Sequence, residues 1–94
     1  MSNGLAEPLA LTAAKSLVRA ILASGTVDLS VTHAQERLGE RAMDALDVEN
    51  VLRCGAVKSC TQVRGTWRYR VETSRMVVVI AFRSRKRLAV ITAW

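Results

Sequence analysis

A single histidine followed by two arginines at helical spacing is the group of residues in this chain best suited to chemistry. His33 is the only histidine among 94 residues, and Arg37 and Arg41 follow it by four and eight positions, which puts all three on one face of a helix. Imidazole is the side chain whose unperturbed pKa lies in the physiological range, so His33 can take or give a proton near neutral pH. Guanidinium stays charged at every relevant pH, and its planar fork donates two parallel hydrogen bonds to a phosphate. The segment Val31–Arg41 therefore reads as a phosphate-facing site. The same residues also fit a structural role, in which His33 caps the helix or bonds a neighbouring carbonyl while Arg37 and Arg41 pair with acids of the next helix.

The elements that must position these residues are α followed by β. A first helix opens at Glu7-Pro8, with the proline suited to a first turn and the acid to the positive end of the dipole. Ala10, Ala13, Ala14, Leu17, Val18, Ile21 and Leu22 recur at three-to-four spacing, leaving Thr12, Lys15, Ser16 and Arg19 opposite, and Gly25 ends the helix. A short extended piece around Val27–Thr32 leads to a second helix, capped by Ser30 or Thr32, with Ala34, Leu38 and Ala42 as its buried stripe. His33, Arg37 and Arg41 border that stripe. Asp44 or Asp47 caps a third, short helix carrying Val48, Val51 and Leu52, and Gly55 follows it.

From Ala56 onward the period becomes extended, with β-branched and aromatic residues and no proline. Val57–Val63 and Thr66–Glu72 form a hairpin around Arg64-Gly65, Met76–Phe82 is apolar on both faces as a central strand should be, and Arg87–Ala93 closes a four-stranded antiparallel meander. The expectation is one α+β domain over residues 1–94, with an N-terminal helix in 1–25, a helical segment in 27–55 and an antiparallel sheet in 56–94. Alternation along the second strand sends Trp67, Tyr69 and Val71 to one face and Arg68, Arg70 and Glu72 to the other. The apolar set is expected to meet the helices. That leaves the arginines on the open face, where phosphate contact competes with ordinary solvation.

Charge is divided along the chain. Residues 1–52 carry four basic and seven acidic groups, whereas residues 53–94 carry ten basic groups and one acid, Glu72. A basic pole of that kind attracts RNA, another polyanion or an acidic protein segment. The longest apolar run, Met76–Phe82, has seven residues against the roughly 20 needed to span a bilayer, and the N-terminus lacks a secretory pattern. A cytoplasmic location without membrane contact is the expectation. Cys54 and Cys60 lack the spacing and the histidine of a zinc site and are expected to be buried or half-buried thiols. With no Gly-rich phosphate loop and no paired carboxylates, nucleoside triphosphate and flavin chemistry are disfavoured, and no metal or cofactor is expected.

His33-Ala34, Glu36-Arg37, Glu40-Arg41, Asp47-Val48, Leu52 and Gly55, then Trp67-Arg68-Tyr69-Arg70-Val71 and the closing Val90-Ile91-Thr92-Ala93-Trp94, carry a resemblance to a family. Over roughly residues 17–94 the chain resembles the small bacterial proteins of domain-of-unknown-function family 4258, with Leu38 where that family often has methionine. That family is similar in layout to the RelE/ParE-like toxin fold and to compact ribonucleases that use His, Arg, Lys, Tyr or Thr side chains and no metal. The resemblance implies a RelE-like fold, an RNA-directed nuclease of the toxin type and an antitoxin protein as partner. Matching positions are His33, Arg37, Arg41, Arg68 and Tyr69, and Arg70 joins them by strand alternation alone.

Cleavage of RNA without a metal needs a base for the 2′-hydroxyl proton, cations for the phosphorane and an acid for the leaving 5′-oxygen. His33 suits the first or last role. Arg37 and Arg70 complete the expected catalytic set, with Arg41, Lys58, Arg68 and Tyr69 as expected nucleic-acid contacts. The alternatives are a non-catalytic nucleic-acid-binding module using the same basic face, and a protein-interaction domain for an acidic segment.

Overall fold

The sheet is organised by its turns. Arg64 and Gly65 both adopt positive φ, 51° and 81°, the pairing that a two-residue hairpin needs to match the twist of its strands. The structure is a computed structural model, and it describes residues 4–29 and 44–94. Its elements are α1 (Leu11–Ser24), β1 (Thr26–Asp28), α2 (Ala45–Cys54), β2 (Ala56–Val63), β3 (Thr66–Glu72), β4 (Val77–Ser84) and β5 (Arg87–Ala93). The second helix expected from the sequence lies outside the described residues.

The class is α+β, but the sheet has five strands and is mixed, in the order β1-β5-β4-β3-β2. The four antiparallel strands of the expected meander are present. The added strand is β1, which pairs in parallel with β5 through Thr26↔Arg87, Val27↔Leu88 and Asp28↔Ala89. The turn between β4 and β5 receives it, because the Thr26 N–H donates to the Lys86 carbonyl at 2.8 Å. Gly25 passes so close to Lys86 that a Cβ there would strike its carbonyl oxygen, which is why a glycine joins α1 to β1.

Both helices lie on one face of the sheet. Ala14, Val18 and Ile21 of α1, and Val48, Val51 and Leu52 of α2, meet Val57, Tyr69, Val71, Val78, Ile80, Phe82, Leu88, Val90 and Ala93 in one buried cluster. β4 is the middle strand and is apolar on both sides, as expected. On the far side Ala81, Ala89 and Ile91 are buried in a second, smaller cluster with Val79. That face is therefore partly closed at its centre, which corrects the expectation of a wholly open one.

Two helix ends show how sequence and packing divide the task. α2 begins with a reciprocal capping box, in which the Asp44 carboxylate accepts from the Asp47 N–H and the Asp47 carboxylate accepts from the Asp44 N–H, each at 3.0 Å. α1 begins at Leu11 and not at Glu7-Pro8, and Ala10 at its N-cap supplies no side-chain acceptor. The preceding residues are held off the helix by β3, since the Leu9 N–H and the Glu7 carboxylate both bond the Tyr69 hydroxyl. Ala10 and Ala13 are consequently exposed instead of joining the buried stripe.

At its other end α2 is closed by a side chain from α1. The Lys15 ammonium donates to the carbonyl oxygens of Leu52, Arg53 and Gly55 at 2.8, 2.9 and 2.6 Å. A cation on the last carbonyls complements the negative end of the dipole and satisfies acceptors that the helix leaves unpaired. Burial, then the nearby Arg19, pulls the Lys15 pKa below its ordinary value, and Cys54 opposes this. Replacing Lys15 with Met keeps the aliphatic stem and strands three acceptors. Urea denaturation of Lys15→Met should show a loss of about 2 kcal/mol, and an unchanged midpoint would refute this role for the ammonium.

Candidate nucleic-acid interface

β3 carries most of the described candidate residues, and its alternation divides them as expected. Tyr69 and Val71 face the helices with none of their surface exposed, while Arg68, Arg70 and Glu72 point to the outer face. Trp67 is half-buried against the main core. The Tyr69 hydroxyl donates to Glu7 Oε2 at 2.8 Å and accepts from the Leu9 N–H at 3.0 Å. Its ring is tilted by 57° against Phe82 at a centroid distance of 5.0 Å. A tyrosine enclosed in this way offers no ring face to a base, so its expected place among the nucleic-acid contacts gives way to a structural one.

The outer face gathers its cations across adjacent strands. Arg70 pairs with Ser59 of β2 on one side and with Val79 of β4 on the other, and Arg68 pairs with Thr61. Lys58 is skipped in the β2–β3 register, between Val57↔Val71 and Ser59↔Arg70. Two exposed residues, Lys58 and Ser59, thus lie between the inward Val57 and Cys60: alternation puts the lysine on the Arg70 side, and the bulge adds Ser59 to it. A matching bulge at Ile91 flanks the other end of this row, because Val79 pairs with Thr92 and Ile80 with Val90.

The two arginines differ in how they are held. Arg70 Nε lies 2.8 Å from Glu72 Oε2, an ion-pair contact whose alignment falls short of a hydrogen bond, and its guanidinium sits 5.0 Å from the centre of the Trp94 ring. Arg68 Nε is buried and has no hydrogen-bond partner among the described residues. Further cations gather at the sheet end formed by the β2–β3 and β4–β5 turns, where Arg64, Arg85 and Lys86 are exposed. Arg87 is the exception there, reaching Asp28 at 3.7 Å across the β1–β5 pair.

Of the expected site residues, the structure brings Lys58, Arg68 and Arg70 together on the outer face. His33, Arg37 and Arg41 lie outside the described residues. Trp94 was missed as a neighbour of Arg70, since the Ile91 bulge that sets the outward phase of the last residues has no sequence mark. Cys54 is exposed rather than buried and Cys60 is half-buried, both as free thiols. Among the described residues no group of His, Cys, Asp or Glu could hold a metal ion, and no helix is long and apolar enough to cross a membrane. Comparison with protein-family models, with curated proteins and with solved structures finds no match for this chain.

Tyr69 gives the site a spectroscopic marker, because it is the only tyrosine. Its phenol is pushed from 10.0 up to about 12, chiefly by burial; the Leu9 N–H opposes this, and the Glu7 carboxylate adds to the rise. A raised folded-state pKa means that the neutral phenol stabilises the fold fully below pH 10, and that this contribution is lost as pH rises through about 12. Tyrosinate absorbance of the native protein should therefore titrate well above that of the urea-unfolded chain. Coincident titrations would show that the hydroxyl is not enclosed.

Proposed function

We propose that this protein binds RNA on the outer face of its sheet and cleaves it without a metal, in the manner of a RelE-like toxin. The observation that carries the binding step is the convergence of Lys58, Arg68 and Arg70 from adjacent strands in a half of the chain whose one acid, Glu72, is already paired with Arg70. Phosphate contacts of this kind position a strand without reading its sequence. The resemblance of the His33, Arg37 and Arg41 segment to the family 4258 pattern supports the cleavage step. In that step the 2′-oxygen attacks the adjacent phosphorus as His33 takes its proton, and the bond to the 5′-oxygen breaks as that oxygen takes a proton from water, leaving a 2′,3′-cyclic phosphate and a 5′-hydroxyl. Arg37 and Arg70 hold the charge that builds on the phosphorane. A cytoplasmic setting and an antitoxin partner belong to the same proposal.

One observation favours a non-catalytic RNA-binding module as the second reading. Tyr69, a described candidate with a transferable proton, lies on the side of β3 opposite the arginines, enclosed and bonded to Glu7, and so offers no proton at the outer face.

A mixed single-stranded RNA incubated with the protein in EDTA decides between them. Wild type should cleave, and His33→Ala, folded by circular dichroism, should be slower by at least about a hundredfold. Salt-dependent binding without cleavage by wild type selects the binding module, and absence of both refutes the proposal. Arg68→Gln should lower the slope of log affinity against log salt by about one, whereas an unchanged slope would remove Arg68 from the phosphate contacts.

A further inference from the structure

We infer that Trp94, backed by Arg70, is a stacking platform for a base of single-stranded RNA; this deepens the RNA reading above and rests on it. The chain has four aromatic residues, Trp67, Tyr69, Phe82 and Trp94. Tyr69 and Phe82 are buried, Trp67 is half-buried against the main core, and Trp94 alone is exposed, at 37%. An indole in water needs a reason to be held in place, and the structure supplies two restraints. The Trp94 backbone N–H donates to the Val77 carbonyl at 2.9 Å and the Val77 N–H donates to the Trp94 carbonyl at 2.8 Å, so its main chain is fixed to the first residue of β4. Its ring then lies 5.0 Å from the Arg70 guanidinium, which Glu72 fixes from the side.

The arrangement joins the two components of single-strand recognition. A base stacks on an aromatic ring through its π-face, whatever its identity, while cations alongside follow the phosphates. Here the ring and the cations share one face, with Arg70 belonging to both and with Arg68 and Lys58 on the strands beyond it. Because Arg70 already polarises one side of the indole, a base on the remaining exposed surface completes a base, indole and guanidinium stack. Paired bases are stacked on one another inside a helix and cannot lie on an indole, so the platform selects single strands, loops and ends over duplex.

Fluorescence titration of the full chain in a Trp67→Phe background, which leaves Trp94 as the one emitter, tests this with oligouridylate and with an RNA duplex as probes. Oligouridylate should quench the emission and bind more tightly than the duplex. Trp94→Leu, folded by circular dichroism, should bind oligouridylate about tenfold more weakly with an unchanged salt slope, and Trp94→Phe should restore most of that loss. The inference is overturned if wild type binds with a steep salt slope yet shows no quenching, if Trp94→Leu binds as wild type does, or if the duplex binds equally well. Absence of any salt-dependent RNA binding by wild type would instead overturn the RNA reading itself, and the platform with it.

Discussion

The Lys15 ammonium, lodged among three backbone carbonyls, is the contact on which the meeting of helices and sheet depends. Those carbonyls belong to the last turn of α2 and to Gly55, the residue that turns the chain into β2. Gly55 is in turn pressed between the backbones of α2 and β3: a Cβ there would come within 2.5 Å of the Val51 oxygen and 2.8 Å of the Glu72 oxygen. One side chain of α1 therefore fixes where α2 ends, how the chain enters the sheet, and how closely β3 approaches that entry. The ammonium gathers three acceptors at the negative end of α2, and it is held there despite the desolvation that lowers its pKa.

The sheet carries that order outward to the candidate interface. β4 is the middle strand, and its alternation supplies Val78, Ile80 and Phe82 to the main core and Val79 and Ala81 to the smaller one. Burial on both sides holds β4 in register, and with it the neighbouring β3 arginines. The bulges at Lys58 and Ile91 flank the same row, Ser59, Arg70, Val79 and Thr92. Bulges raise local twist and bend a strand, so the sheet is reshaped along the line where Arg70 sits.

Features of local origin were legible in the sequence. The limits of β3 and β5, the Arg64-Gly65 turn, the Asp44 cap and the inward set Val48, Val51 and Leu52 all follow from period, turn chemistry and capping within a few residues of each other. Features set at a distance were not. β1 is three residues long and owes its existence to a parallel partner late in the chain. Lys15 reads as part of a solvated helix face until the carbonyls of another helix are placed beside it. The inward side of Tyr69 follows from alternation, but its bonds to Glu7 and Leu9 do not, and those bonds replace both its expected nucleic-acid contact and the first turn expected of α1. Alternation put Arg68 and Arg70 on the correct face, whereas the Ile91 bulge hid Trp94 from the same argument.

The parallel pairing of β1 with β5 has a consequence for a chain emerging from the ribosome. The hairpins β2–β3 and β4–β5 join neighbouring segments and can close as soon as they are made, but β1 must wait for the last strand. The Leu9 and Tyr69 contact likewise spans 60 residues. Closing such long loops costs entropy before any contact rewards it, so β1 is the last strand to dock. The apolar side of α1 is covered earlier, by Val57, Tyr69 and Val71 of the β2–β3 hairpin, so a nascent chain halted before that hairpin would expose the stripe to chaperones or to self-association.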